Sequence, residues 1–122
     1  MFEVTVEASF AAAHSLRDYP GKCARLHGHN YKVEVTLEGP ELDSTGLLID
    51  FVEVKRGLKA VLERIDHGYL NELAPFDAWN PSAENIARYV YQELAAQVES
   101  ERVKLARVKI WETDSSSATY RP

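Results

Sequence analysis

The chain has 122 residues, 45% of them hydrophobic and 27% charged, with a formal net charge of −5. These values are ordinary for a folded domain and exclude disorder as the main state. Length predicts a single domain spanning residues 1–122, and the one cysteine excludes an internal disulfide. The acidic balance argues against a nucleic-acid or anionic-membrane partner. The sequence contains no apolar run of the ~20 residues that span a bilayer and no signal-peptide pattern at its start, which indicates a cytoplasmic protein.

Two segments near the start alternate apolar and polar residues, the period typical of strands with one buried face. The first runs from Phe2 to His14, with its apolar residues at even positions. The second runs from Asn30 to Glu38, with its apolar residues at odd positions. A long loop over residues 15–28 joins the two predicted strands.

Apolar residues at helical spacing predict two helices after the second strand. Asp50 is placed to cap the first helix, with Glu53 as a capping-box partner, and Ser82 is placed to cap the second. The predicted buried positions are Val54, Leu58, Val61, Leu62 and Ile65 in the first helix, and Ile86, Tyr89, Val90, Leu94 and Val98 in the second.

Two more strands are predicted near the end, one through Val108, Ile110 and Glu112 and one over residues 116–120. The order β-β-α-α-β-β predicts an α+β domain, an antiparallel sheet with both helices on one face. A sheet this small has two edges that need protection. Either subunits join their edges into a barrel or charged side chains and loops protect them, and spacing favours neither.

Three of the four histidines are predicted to converge. His14 ends the first strand on its apolar face, and His27 and His29 lie on the apolar face of the second strand if that strand extends back to them. Antiparallel pairing places the end of one strand beside the start of the next. Three imidazoles with an open fourth position form the ligand set of a catalytic zinc site, although imidazole also suits iron, copper and nickel. The alternative is three hydrogen-bonded core histidines, and a bulge that reverses parity would separate them.

Two other features bear groups that can transfer protons. Cys23 lies in a polar loop between Lys22 and Arg25, where neighbouring cations favour the thiolate that acts as nucleophile or base. Asp66 and His67 are adjacent in sequence, and a carboxylate can orient an imidazole. Adjacent Asp-His pairs also occur by chance, so this pair is a weak signal by itself.

Glu112 continues the apolar stripe of the predicted strand that contains Val108 and Ile110. A buried carboxylate needs hydrogen-bond donors. One interpretation is that Glu112 accepts from a ligand with adjacent N–H groups, such as a guanidine-like heterocycle edge. The other is that Glu112 lies past the buried part of the strand and is solvated. Sequence logic leaves both open.

The chain resembles the 6-pyruvoyltetrahydropterin synthase superfamily in several segments. They are Phe10–His14 (FAAAH), Cys23–Tyr31 (CARLHGHNY), Asp66-His67 and Trp111–Thr113 (WET), with further similarity over residues 46–51 and 80–84. The resemblance covers nearly the whole chain, and its most specific part is Cys-x3-His-Gly-His. The short gap in that motif favours the 6-carboxytetrahydropterin synthase branch, which acts in the queuosine pathway.

This resemblance implies a tunnelling fold, in which subunits join their sheets into a trimeric barrel and two barrels stack as a homohexamer with active sites at subunit interfaces. The implied substrate is 7,8-dihydroneopterin triphosphate. The implied products are 6-carboxy-5,6,7,8-tetrahydropterin, acetaldehyde and triphosphate.

Residue by residue, the resemblance implies that His14, His27 and His29 hold zinc. It implies that Cys23 is the general base.

Asp66 and His67 match the family's charge-relay pair, and Glu112 matches the residue that anchors the pterin ring and is sometimes counted in the relay. The site would span subunits, so Cys23 and His67 could come from different chains.

The net negative charge is unfavourable for a triphosphate, so a local positive cluster is expected. Arg17, Lys22 and Arg25 are candidates by position, although each could be an ordinary surface residue. Two other functions remain: a synthase that eliminates triphosphate without cleaving the side chain, and a non-catalytic, zinc-containing pterin-binding module.

Overall fold

The computed structural model describes all residues, 1–122, and contains five strands and two helices. In chain order they are β1 (Phe2–His14), β2 (His27–Gly39), α1 (Phe51–Glu63), β3 (Gly68–Tyr69), α2 (Ala83–Val98), β4 (Lys104–Thr113) and β5 (Ser116–Tyr120). The predicted α+β order is confirmed, and β3 is an addition to it. Neither helix has both the length and the apolar character that crossing a bilayer would require.

The strands form one sheet in the order β3-β1-β2-β4-β5. β1 and β2 are antiparallel, from Phe2 opposite Gly39 to His14 opposite His27. β3 pairs parallel to β1, with Gly68 opposite Ala12. The sheet is therefore mixed and not wholly antiparallel as expected, because two residues after α1 add to the edge of β1.

Both helices pack on one face of the sheet, where the alternation of β1 and β2 predicts the core. Val6, Phe10 and Ala12 of β1 are buried there, as are the odd-numbered apolar residues of β2. Phe2 is an exception to the predicted stripe, since it lies at the end of the sheet and stays 45% exposed. All ten apolar positions predicted for the helical segments are buried: Val54, Leu58, Val61, Leu62, Ile65, Ile86, Tyr89, Val90, Leu94 and Val98.

Both helices begin at the predicted caps. The side chain of Asp50 accepts a hydrogen bond from the backbone N–H of Val52, and that of Ser82 accepts from the N–H of Asn85. The Asp50 carboxylate thus accepts from the N–H of Val52 and not from that of Glu53. The predicted capping box with Glu53 does not form.

Two bulges in β4 decide which of its residues face the core. Opposite β2, Ala106 is an extra residue between Leu105 and Arg107. This bulge lies well before Glu112, so Val108, Ile110 and Glu112 keep the common face that alternation predicts. Opposite β5, Glu112 itself is the extra residue between Trp111 and Thr113, and bulges of this kind redirect side chains next to functional sites.

Two sheet edges have no strand partner within the chain. β3 covers β1 only at residues 12–13, which leaves the earlier part of β1 unpaired on that side. β5 pairs only with β4. The single chain thus presents the two edges that the sequence predicts.

Candidate metal centre and catalytic residues

The end of the β1–β2 hairpin brings three histidines together. His14 pairs with His27 across the hairpin, and His29 pairs with Ala12, so all three imidazoles project from the helix-facing side. Their ring centroids lie 4.5–5.2 Å apart. β2 extends back to His27, which is the condition that the parity argument required. His14 is fully buried, and the other two are half-buried.

Backbone carbonyls fix the tautomer of two of these imidazoles. Nδ1 of His14 lies 2.7 Å from the carbonyl oxygen of Pro81, and Nδ1 of His27 lies 2.7 Å from that of Arg25. A carbonyl only accepts, so each Nδ1 carries the hydrogen and each Nε2 of the neutral ring carries a lone pair. The two Nε2 atoms are 3.0 Å apart. Two lone pairs at this distance repel, and a cation held between them removes the repulsion.

Glu112 and His29 complete a compact set of donor atoms. Oε1 of Glu112 lies 3.2 Å from Nε2 of His14 and 3.2 Å from Nε2 of His29. Nε2 of His29 is buried and has no hydrogen-bond partner. One donor atom from each of His14, His27, His29 and Glu112 lies within 4.8 Å of the others. Donor atoms around tetrahedral zinc, at bond lengths of about 2.0–2.1 Å, are separated by about 3.3 Å, so this cluster could hold a metal ion.

Burial favours the neutral form of His29. Burial lowers the pKa of His29, although the Glu112 carboxylate acts in the opposite direction. Neutral imidazole is the form that binds metals. Beneath the cluster, burial and then the charge of Glu112 raise the pKa of Tyr31, which keeps this phenol protonated.

Glu112 is neither deeply buried nor fully solvated, since its side chain is 30% exposed. It faces the imidazoles from the bulge in β4. One carboxylate oxygen contacts two histidines, which leaves the second free to meet a ligand.

Cys23 lies beside this cluster in sequence but outside the four-residue group. It is in a single 3-10 turn, Lys22–Ala24, and its carbonyl accepts from the N–H of Leu16 at 2.8 Å. The thiol is free and half-buried. The structure therefore places Cys23 in the loop that carries the chain into the histidine motif.

Asp66 and His67 attach to β1 through one residue, Ala11. Oδ1 of Asp66 accepts from the N–H of Ala11 at 2.9 Å, and the N–H of His67 donates to the carbonyl of Ala11 at 2.6 Å. Oδ1 of Asp66 also lies 3.0 Å from Nδ1 of His67, so the adjacent pair is in contact. His67 has a left-handed φ of 59°, uncommon for a residue other than glycine, and these bonds hold it there.

The His67 side chain is 82% exposed and lines a cleft of about 370 Å³. His29 and Gly28 line the same cleft. His67 and one residue of the metal cluster, His29, thus line the same cleft.

The charge of Asp66 predicts a pH dependence of stability. The Ala11 hydrogen bond, with help from His67, lowers the pKa of Asp66. A carboxylate with a lowered folded-state pKa contributes stability that is present above the unfolded value of about 3.9 and is lost as the pH falls through the folded value. With a chelator present, we expect the Tm difference between the wild type and Asp66→Asn to be largest near neutral pH and to vanish in strong acid. A difference that stays constant with pH would contradict this role of the charge.

Arg17, a candidate for phosphate binding, is engaged elsewhere. Its guanidinium donates to the carbonyl oxygens of Asn71, Phe76 and Trp79 at 3.3, 2.5 and 3.2 Å. These hydrogen bonds connect the loop after β1 to the segment before α2, so Arg17 has a structural role. Lys22 and Arg25 are exposed and remain candidates for phosphate binding.

Comparison with known proteins assigns this arrangement to a family. The family model described as 6-pyruvoyl tetrahydropterin synthase matches residues 3–122. The chain belongs to the 6-pyruvoyl tetrahydropterin synthase family.

Relatives in this family carry two different pterin synthase names. The chain is 34% identical to 6-carboxy-5,6,7,8-tetrahydropterin synthase of Bacillus subtilis, over 99% of this chain and 86% of the relative. It is 36% identical to 6-pyruvoyl tetrahydrobiopterin synthase of Drosophila melanogaster, over 83% of this chain and 62% of the relative. The structure of Caenorhabditis elegans 6-pyruvoyl tetrahydropterin synthase superimposes with a TM-score of 0.87 at 33% identity, covering 100% of this chain and 97% of the other.

Several groups that support the histidine cluster of this family member have no signature in the periodic sequence patterns. They are the carbonyl of Pro81, which accepts from His14, and the side chains of Asn71 and Asn80, which bond the backbone just after His14. One signal was available: Asn80-Pro81 immediately precedes the helix cap Ser82. Side-chain to backbone bonds across 50 or more residues have no periodicity that a pattern search detects.

Proposed function

We propose that the protein is a zinc-dependent lyase that converts 7,8-dihydroneopterin triphosphate and one water molecule to 6-carboxy-5,6,7,8-tetrahydropterin, with release of acetaldehyde and triphosphate. The observation that carries the proposal is the pair of Nε2 lone pairs of His14 and His27, 3.0 Å apart, beside the unpartnered Nε2 of His29. The short Cys-x3-His-Gly-His motif and the relatives named as 6-carboxy synthases support this branch of the family. The pathway would be queuosine biosynthesis in the cytoplasm.

His14, His27 and His29 would hold the zinc. Zinc held by three imidazoles supplies Lewis acidity toward the hydroxyl oxygens of the substrate side chain.

Proton transfer would fall to the remaining residues. Cys23 would act as general base on the side chain of the pterin, and His67 would move protons as triphosphate leaves and the side chain is cleaved. Asp66 would orient the imidazole of His67, which fits the 3.0 Å contact between them.

Glu112 would anchor the pterin through the amino-pyrimidine edge, which a carboxylate can bind with two parallel hydrogen bonds. Its position on the core-facing side of β4 and its partial exposure support this role. The carboxylate also contacts two imidazoles, so it would hold the ring beside the metal centre.

The Glu112→Gln variant tests this anchor. We expect it to weaken binding of 7,8-dihydroneopterin by about tenfold or more, because a charged bidentate hydrogen bond contributes about 1.5–3 kcal/mol. Zinc content should be retained, because three imidazoles remain. Fluorescence titration under anaerobic conditions measures the affinity, and metal analysis measures the zinc. Unchanged pterin affinity would contradict the anchoring role.

The active form would be a homohexamer made of two trimeric barrels, with no nucleic-acid or membrane partner. The unpaired edges of β1 and β5 support joining of subunits. The 82% exposure of His67 fits a side chain that is presented to a neighbouring subunit.

The direct test of catalysis is release of triphosphate from 7,8-dihydroneopterin triphosphate by the zinc-loaded protein. We expect turnover that a chelator abolishes and added zinc restores. Zinc-bound protein that binds the pterin without turnover would instead be the non-catalytic pterin-binding module.

A second candidate is 6-pyruvoyltetrahydropterin synthesis, which eliminates triphosphate and leaves the side chain intact. The similarity to the Drosophila and Caenorhabditis proteins favours it. Both reactions release triphosphate, and only the first releases acetaldehyde.

A further inference from the structure

Two asparagine side chains form hydrogen bonds with the backbone that follows His14. Oδ1 of Asn71 accepts from the N–H of Ser15 and its Nδ2 donates to the Ser15 carbonyl, both at 2.9 Å. Oδ1 of Asn80 accepts from the N–H of Arg17 at 2.8 Å, and its Nδ2 donates to the Arg17 carbonyl at 3.1 Å. Each amide therefore pairs with both polar groups of one residue, as a neighbouring strand would.

The segment that carries Asn80 is fixed from its other side as well. The carbonyl of Asn80 accepts from Nδ2 of Asn85 at 2.8 Å, and Ser82 caps α2 two residues later. The backbone between these contacts is the buried Pro81, whose ring fixes φ. The Pro81 carbonyl is thus held between α2 and the chain after β1.

This carbonyl is the group that accepts from Nδ1 of His14 at 2.7 Å. Partners of this kind fix the tautomer and the orientation of a metal-binding imidazole. Of the two Asn80 amide contacts, neither touches the imidazole itself. The Pro81 carbonyl, next to Asn80 in the chain, links these contacts to the ring of His14.

We propose that Asn80 is a positioning residue for the metal centre: by bonding the backbone of Arg17, its amide holds the Pro81 carbonyl against His14, so that Nε2 of His14 faces the other donors. This inference rests on the metal centre proposed above. It assigns to Asn80 a function in metal affinity and not only in fold stability.

The test compares Zn²⁺ affinity in the wild type, Asn80→Ala and Asp50→Ala, by competition with a chromophoric chelator. Asp50→Ala removes the cap of α1, so it destabilises the fold without touching the metal centre. We expect Asn80→Ala to lose about 10–100-fold in affinity, as loss of a supporting partner does in other metal sites, and Asp50→Ala to match the wild type. The visible spectrum of Co²⁺-loaded protein should change in Asn80→Ala alone.

The milder variant Asn80→Asp keeps an oxygen for the N–H of Arg17 and removes the donor to its carbonyl. We expect its Zn²⁺ affinity to lie between those of the wild type and Asn80→Ala. If Asn80→Ala does not fold, Asn80→Asp is compared with the wild type in its place. Wild-type affinity and spectrum in whichever Asn80 variant folds would overturn the inference. Failure of the metal centre itself gives a different result: the wild type would bind Zn²⁺ no better than His29→Ala.

Discussion

Replacing His29 with alanine is expected to deprive the purified protein of the zinc proposed for its histidine cluster. Its Nε2 is a buried nitrogen with no hydrogen-bond partner, 3.2 Å from Oε1 of Glu112, and the three-histidine centre depends on it. Loss of a residue that only supports a ligand lowers metal affinity by about 10–100-fold. We expect a larger fall in Zn²⁺ affinity here, because a ligand itself is removed. Elemental analysis and chelator competition measure the loss.

His67→Ala is the matched control for this experiment. It removes an imidazole that is 82% exposed and outside the donor cluster, so zinc content should stay at the wild-type level. Full zinc retention in His29→Ala would contradict the three-histidine assignment.

Cys23→Ala should separate metal binding from catalysis. Cys23 is outside the donor cluster, so we expect the variant to keep its zinc and its oligomeric state. Loss of a general base lowers turnover by about 10²–10⁴-fold. The measurements are steady-state triphosphate release, metal analysis and size-exclusion chromatography on one preparation.

Two outcomes would count against Cys23 as the base. Turnover close to the wild type would mean that another group removes the proton. Loss of zinc or of assembly would mean that the thiol side chain supports structure, since the backbone bond from Leu16 to the Cys23 carbonyl is kept in the variant.

Alternation of side chains was enough to predict the histidine cluster. The faces of β1 and β2 follow from positions of apolar residues, and antiparallel pairing then brings His14 next to His27. Glu112 keeps the predicted face because the bulge at Ala106 falls well before it in β4. The second bulge, opposite β5, is at Glu112 itself, and its carboxylate still lies 3.2 Å from the imidazoles of His14 and His29. Neither bulge has a residue pattern from which it could have been predicted.

The connections between elements could not be predicted in the same way. β3 has only two residues, too few for any period to be visible. Position alone made Arg17 either a phosphate-binding candidate or an ordinary surface residue, yet its guanidinium bonds three carbonyl groups more than 50 residues away. Such contacts depend on the three-dimensional path of a loop, and a charged residue in a loop has the same sequence signature whether it is solvated or engaged.

Product analysis tests the central claim most directly. The zinc-loaded protein is incubated anaerobically with 7,8-dihydroneopterin triphosphate, the pterin is identified by mass spectrometry, and acetaldehyde is assayed in the same samples. We expect 6-carboxy-5,6,7,8-tetrahydropterin and acetaldehyde in equal amounts. Cys23→Ala should form both products about 10²–10⁴-fold more slowly. A 6-pyruvoyl product without acetaldehyde would contradict the proposed reaction and assign the protein to the sister activity of the family.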